Sequence, residues 1–237
     1  MFFVSKFLSY TATMDGRVLN RIDTLDPRDP QRNMPPGEAA VTVTFASPPP
    51  GTVYAFADRI RNSDIIRDET GGEYHPTATD PYFRRKRALF SFAASAERDV
   101  RFNLDGPLEV GCLLFFAESD IVRTSQELFL TYPFEVEQRP RVTSITRADG
   151  SRIERIVGTE PLLRLTTNVV PAGDYKDFSG ELEAFLEAVS PQVPFLYVGE
   201  EHAWDMFLVR KSPDRKVRHV RGGYNKQFIP ALTLEVQ

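Results

Sequence analysis

Proline does more than any other residue to limit what this chain can fold into. Of its 18 prolines, Pro27, Pro30, Pro35 and Pro36 fall in one polar stretch, and Pro48-Pro49-Pro50-Gly51 makes a second break. Proline has no amide donor and disrupts both helix interiors and central β ladders. Such punctuation divides the chain into short extended segments joined by turns. The intervening residues fit strands. Ala40–Phe45 alternates and is rich in β-branched residues, and Val100, Phe102 and Leu104 alternate with Arg101 and Asn103. That period of two marks half-buried strands. Val110–Phe116 is apolar throughout, as expected of a strand buried on both faces. Leu128–Tyr132 and Phe134–Val136 flank Pro133. Ile153–Val157 and Leu162–Thr167 are expected to pair, and Phe195–Val198, Met206–Val209 and Ile229–Val236 complete the set. No repeat of solenoid or propeller period is present.

One stretch reads as helix. Tyr175, Phe178, Leu182, Phe185, Leu186 and Val189 share a face at spacings of three and four. Asp174 or Ser179 would cap its start. Ser190-Pro191 would end it, because the residue before proline is pushed out of the α region. Gly180 weakens the pattern by about 1 kcal/mol relative to alanine.

Composition narrows the function classes. The 237 residues include 41% hydrophobic and 26% charged side chains, the balance of a soluble globular protein with a sizeable core. The net charge of −4 argues against dedicated nucleic-acid binding. No apolar run reaches the roughly 20 residues that span a bilayer, and Met1–Leu8 lacks the basic start and cleavage site of a signal peptide. The chain is therefore expected in a cytoplasm or in a particle assembled there, with no membrane partner. Cys112, the only cysteine, reads as a buried core thiol.

No phosphate loop, nucleophile elbow or CxxC is present, and His75, His202 and His219 have no partner at metal-ligand spacing. No enzyme activity, cofactor or metal is expected. Three clusters call for comparison with plainer readings. Glu200-Glu201-His202-Ala203-Trp204-Asp205 gathers carboxylates round a histidine, but fits a solvated turn between strands. Asp64, Asp68, Glu69, Glu73 and Asp80 offer calcium-type ligands without EF-hand spacing, and fit an exposed loop. Arg84-Arg85-Lys86-Arg87 could meet phosphate or an acidic partner, but its position before Ala88–Phe92 fits a charged strand entry or subunit contact. The fourth cluster is Arg210, Lys211, Arg215, Lys216, Arg218, Arg221 and Lys226 against Asp214 alone. A solvated loop and an interface with an acidic face of a neighbouring subunit explain it equally well.

The order of features from Tyr175 onward resembles a known module. An amphipathic helix containing Glu183-Ala184-Phe185-Leu186 leads into Pro194-Phe195-Leu196-Tyr197-Val198. An acidic turn with Trp204, a strand ending Phe207-Leu208-Val209-Arg210 and a basic loop through Gly222-Gly223-Tyr224 follow, and the chain closes on Leu232-Thr233-Leu234-Glu235-Val236. This resembles the terminal module of the distal tail proteins and related minor tail proteins of long-tailed bacteriophages. Separately, Val100-Arg101-Phe102-Asn103-Leu104 and Val110-Gly111-Cys112-Leu113-Leu114-Phe115 resemble adjacent strands of galactose-binding-like jelly rolls.

The resemblance implies a mainly β fold of two β-sandwich domains, one jelly-roll-like and one tail-tube-like and flanked by a single α-helix. Residues 1–34 would form an N-terminal segment able to give a strand to the C-terminal domain. Residues 35–140 would form the jelly roll, and 141–237 the ring-forming domain. It further implies a structural virion protein of the tail tip, self-associating into a ring (hexamer or trimer) that joins the tail tube to other tail-tip or baseplate proteins. Arg210, Lys211, Arg215, Lys216, Arg218 and Arg221 are the candidate interface residues. The rival expectation is a monomeric module binding host glycan, with Tyr74, Tyr82 or Trp204 as a stacking platform.

Overall fold

In the computed structural model the described residues are 2–19, 31–33, 37–76, 86–124, 135–165, 170–171, 182–199, 206–211, 226–227 and 232–236. Among them the chain is mainly β, with antiparallel sheets and one α-helix. In chain order the elements are β1 (Phe2–Val4), β2 (Tyr10–Met14), β3 (Arg17–Val18), β4 (Gln31–Asn33), β5 (Gly37–Phe45), β6 (Thr52–Asp58), β7 (Arg61–Asp68), β8 (Glu73–Tyr74), β9 (Arg87–Ala93), β10 (Glu97–Val110) and β11 (Cys112–Ala117). A 3-10 turn at Glu118–Asp120 leads to β12 (Val122–Arg123), β13 (Glu135–Thr146), β14 (Arg152–Leu165) and β15 (Val170–Pro171). Helix α1 (Leu182–Ala188), β16 (Phe195–Val198), β17 (Met206–Lys211), β18 (Lys226–Gln227) and β19 (Leu232–Val236) complete the chain.

Two compact units result. One comprises Phe2–Val122 with Phe195–Phe207, and the other Arg123–Pro194 with Leu208–Val236. Gln138, Arg139 and Pro140, where a domain limit is expected from sequence, lie inside β13, opposite Pro161, Glu160 and Thr159 of β14.

In the first unit, β3, β2, β5, β10, β7 and β8 form one sheet in that order, and β11, β6 and β9 form another. Alternation explains the first: Val41, Val43 and Phe45 of β5 and Val100, Phe102 and Leu104 of β10 are buried, while Thr44 and Arg101 are exposed. The second sheet contains β11, whose six residues are all buried, as two-sided burial predicts, but the run expected as one strand over Val110–Phe116 divides: Val110 ends β10 in the other sheet, and β11 starts at Cys112 beyond Gly111. Side chains of both sheets meet in one core containing Val43, Ile66, Phe102, Ala55, Phe90 and Phe115. Tyr10 joins that core edge-on to Phe115, 4.9 Å between ring centres, and its hydroxyl donates to the Leu113 carbonyl. Strand β1 pairs with β16, Phe3 opposite Tyr197, bringing the first residues beside a strand from the last quarter of the chain.

Arg87, the last residue of the basic run, opens β9, where a charged strand entry is expected, but it is fully buried, and its Nε lies 3.3 Å from the equally buried Asp58 Oδ1. The two residues are cross-strand partners of β6 and β9. The guanidinium also sits over the Phe207 ring, 4.6 Å from its centre. Asp58 Oδ1 further accepts from the Arg59 amide at 2.7 Å. Arg59 adopts a left-handed conformation (φ 55°) as the chain turns from β6 to β7.

In the second unit, β14 pairs with β13 along its length and with β19 at Leu162–Leu165, and β17 pairs with β19. Ile153–Val157 and Leu162–Thr167 do not pair with one another as expected. Ile153–Val157 and Leu162–Leu165 instead run in one strand, and the hairpin partner is β13. The turn lies earlier, where Arg147 N donates to Ser151 O at 2.8 Å and Gly150 takes φ +82°. Asp149 Oδ1 accepts from the Ser151 amide at 2.9 Å. Asp-Gly between β-branched residues is the local signal for such a turn.

Helix α1 buries Leu182, Phe185 and Leu186, with Val189 just beyond it, the second half of the expected stripe. Tyr175, Phe178 and the candidate caps Asp174 and Ser179 lie outside the described residues. Replacing Arg87 by alanine should lower stability in urea unfolding by about 3–5 kcal/mol, because it strands the Asp58 carboxylate in the core. The double substitution Asp58→Asn with Arg87→Met should lose markedly less. Equal losses would show that packing alone, and not charge pairing, governs this site.

Candidate subunit interface

The hairpin β13–β14 is where buried and exposed chemistry part company. Third-strand pairing by β19 ends at Leu162, so β14 from Arg152 to Pro161 has only β13 beside it among the described residues. At about 3.3 Å per residue this two-stranded length is roughly 30 Å. Its large hydrophobic side chains are exposed: Val142 47%, Ile145 64%, Ile153 42%, Ile156 67% and Val157 54%. Such residues usually occupy cores, and a cluster of them in solvent marks an interaction surface.

Register distributes them over both faces. Val142 stands opposite Ile156, Ser144 opposite Glu154 and Thr146 opposite Arg152 on one face. Thr143 stands opposite Arg155 and Ile145 opposite Ile153 on the other. A register shift between Arg141 and Val142 places Val157 in a bulge. The first face settles its own charges: Arg152 Nε lies 3.1 Å from Glu154 Oε1, and its Nη2 donates to Ser144 Oγ at 3.3 Å. The second carries Arg155, with exposed Arg147 at the turn and Arg139 farther down β13. Among the described residues strand β13 is an edge. Pro140 removes an amide from that edge, so strand addition there is disfavoured relative to contact through the faces.

The six basic residues expected at an interface have different fates. Lys211 is buried and its Nζ donates to the Leu186 carbonyl of α1 at 2.6 Å, binding it to its own chain. Arg210 is half-buried in β17 opposite Glu235. Arg215, Lys216, Arg218 and Arg221 lie outside the described residues, as do Tyr82, Trp204 and the Glu200–Asp205 cluster. Sequence reading missed the hairpin surface because it divided β14 in two. Asp149-Gly150 between Ile145 and Ile153 was the available signal.

The acidic stretch does not converge on one point. Arg67 Nε lies 2.9 Å from Glu73 Oε1, Arg98 Nη1 lies 3.0 Å from Glu69 Oε1, and Asn103 donates to Asp64 Oδ1 at 3.2 Å. Asp80 lies outside the described residues. Asp68 organises the β7–β8 turn: its Oδ1 accepts from the Thr70 amide (2.9 Å), the Thr70 hydroxyl (2.6 Å) and the Gly72 amide (3.0 Å). Tyr74 donates its hydroxyl to Asp68 Oδ2 at 3.1 Å and lies stacked on Phe90, 4.8 Å between ring centres. That ring is engaged in packing within its own sheets and does not present a bare platform. Cys112 is a buried thiol in β11.

Burial by itself would raise the Asp68 carboxyl, but the hydrogen bonds from Thr70, Gly72 and Tyr74 outweigh it and hold the group below the usual carboxylate range. A depressed folded-state value contributes stability above the unfolded value, near 3.9, and that contribution disappears as pH falls through the folded value. Asp68→Ala should therefore cost about 1–3 kcal/mol at pH 7. In urea titrations the gap to the unsubstituted protein should narrow below about pH 4. A gap independent of pH would assign the loss to turn geometry alone.

Comparison with protein-family models, with curated proteins and with solved structures gives no match for this chain.

Proposed function

We propose that this chain is a non-enzymatic structural subunit of the tail tip of a phage or phage-like particle, similar to a distal tail protein, whose copies close into a ring connecting the tail tube to the tip or baseplate. In this reading the chain forms two β-sandwich domains, one jelly-roll-like and one tail-tube-like beside the helix. Its place is the virion tail, assembled in the host cytoplasm, and its work requires no cofactor.

The carrying observation is the β13–β14 hairpin, which holds an exposed apolar cross-strand pair on each face. An isolated two-stranded ribbon is marginally stable in water. Apolar residues on both of its faces favour contact with protein over solvent on both sides. A head-to-tail contact repeated by rotation closes into a ring. The sequence order from α1 through β16, β17 and β19 supports the same reading by resemblance. Of the three residues of the glycan-binding alternative, Tyr74 packs on Phe90 and hydrogen-bonds Asp68, and Tyr82 and Trp204 lie outside the described residues.

Native mass spectrometry across a concentration series tests the proposal. The expected result is a discrete closed species, a trimer or hexamer. The substitutions Ile145→Thr and Ile153→Thr, which keep β-branched side chains at these exposed cross-strand positions, should together change unfolding free energy by about 1 kcal/mol or less, yet shift the population to monomer. A monomer at every concentration for the unsubstituted chain would overturn the ring reading.

A further inference from the structure

The two faces of the hairpin are chemically unequal, and their difference points to the surface that each would meet. Residues 139–160, the hairpin as far as the Arg139–Glu160 register pair, contain five arginines against Asp149, Glu154 and Glu160. The whole chain has 29 basic and 33 acidic residues, so outside this segment 24 basic residues face 30 acidic ones, an excess of six negative charges. The segment is a basic element on an acidic protein.

Within it, the Val142–Ile156 face pairs its arginine internally, Arg152 with Glu154 at 3.1 Å. On the Ile145–Ile153 face the register positions Thr143, Ile145, Ile153 and Arg155, those nearest the turn, carry no acid, and the first acidic position farther down is Glu160, opposite Arg139. Arg155 and Arg147 are exposed beside its apolar pair. An apolar centre flanked by guanidinium groups suits a protein surface with an apolar patch rimmed by carboxylates. A polyanion such as nucleic acid would gain from the arginines but not from the isoleucines, and would be repelled by the rest of the chain.

We infer that the face bearing Ile145, Ile153, Arg147 and Arg155 docks on an acidic surface of a second copy of this chain, with the Val142–Ile156 face contributing little charge to that contact. This rests on the self-association proposed above and names the docking face and the chemistry of its partner. Charge complementarity within one sequence lets a repeated contact form without a separate binding protein.

The test is sedimentation velocity on the full chain at 50 and 500 mM sodium chloride, with charge-matched variants on the two faces. Arg147→Ser with Arg155→Ser removes two positive charges from the docking face. Ser144→Glu with Thr146→Glu adds two negative charges to the opposite face. The expected outcome is a tenfold or greater weakening of self-association by salt and by the first pair, and less than threefold by the second. Arg147→Lys with Arg155→Lys should stay within threefold, separating charge from misfolding. Equal effects of the two charge-matched pairs, or indifference to salt, in a chain that still associates would overturn the inference and leave the ring reading standing. An unsubstituted chain that never associates would overturn both. Retention of a fluorescein-labelled DNA duplex that falls with Arg147→Ser and Arg155→Ser, while self-association does not, would overturn it in favour of nucleic acid.

Discussion

The ion pair between Asp58 and Arg87 is the constraint around which the first unit is arranged. Both side chains are wholly removed from water at the shared end of β6 and β9. Burial of either charge alone would be costly, so the two strands must end in register or leave a charge unanswered. The Asp58 backbone reinforces this, since its carbonyl accepts from Gly111 at 2.9 Å, at the entry to β11. One residue thus aligns three strands, through its side chain on one side and its backbone on the other. Phe207, from a distant part of the sequence, covers the guanidinium. A buried ion pair of this kind is weak as a source of stability and strong as a filter against shifted registers.

The second unit follows the opposite logic. Its hairpin keeps hydrophobic β-branched residues in solvent and guards its open edge with Pro140. Edge protection and face exposure together direct contact away from indiscriminate strand addition and towards side-chain recognition. Polar pairs between the apolar ones, Ser144 with Glu154 and Thr143 with Arg155, interrupt what would otherwise be an aggregation-prone run. The same placement fixes which side chains a partner reads, because ladder register sets their spacing.

Local pattern made much of the fold legible. Alternation located β5 and β10, continuous apolarity located β11, and the three-and-four spacing located the face of α1. Failures came where the deciding partner is remote in sequence. Arg87 reads as a charged strand entry, and its burial emerges only when Asp58 is brought opposite it. Lys211 reads as part of a basic loop until Leu186 presents a carbonyl to it. The β13–β14 hairpin was obscured for a different reason: Gly158 and Pro161 resemble turn residues, yet Gly158 adjoins a bulge and Pro161 sits where β14 has, among the described residues, no second strand partner. The candidate surface could be read only after register had assigned Ile145, Ile153, Val142 and Ile156 to their faces.

Lys211 has one further consequence. Among the described residues helix α1 runs from Leu182 to Ala188. Its Leu186 carbonyl is held by an ammonium group that belongs to the end of β17. The end of the helix and the terminus of β17 therefore share one contact, and a displacement of either withdraws a hydrogen-bond partner from the other.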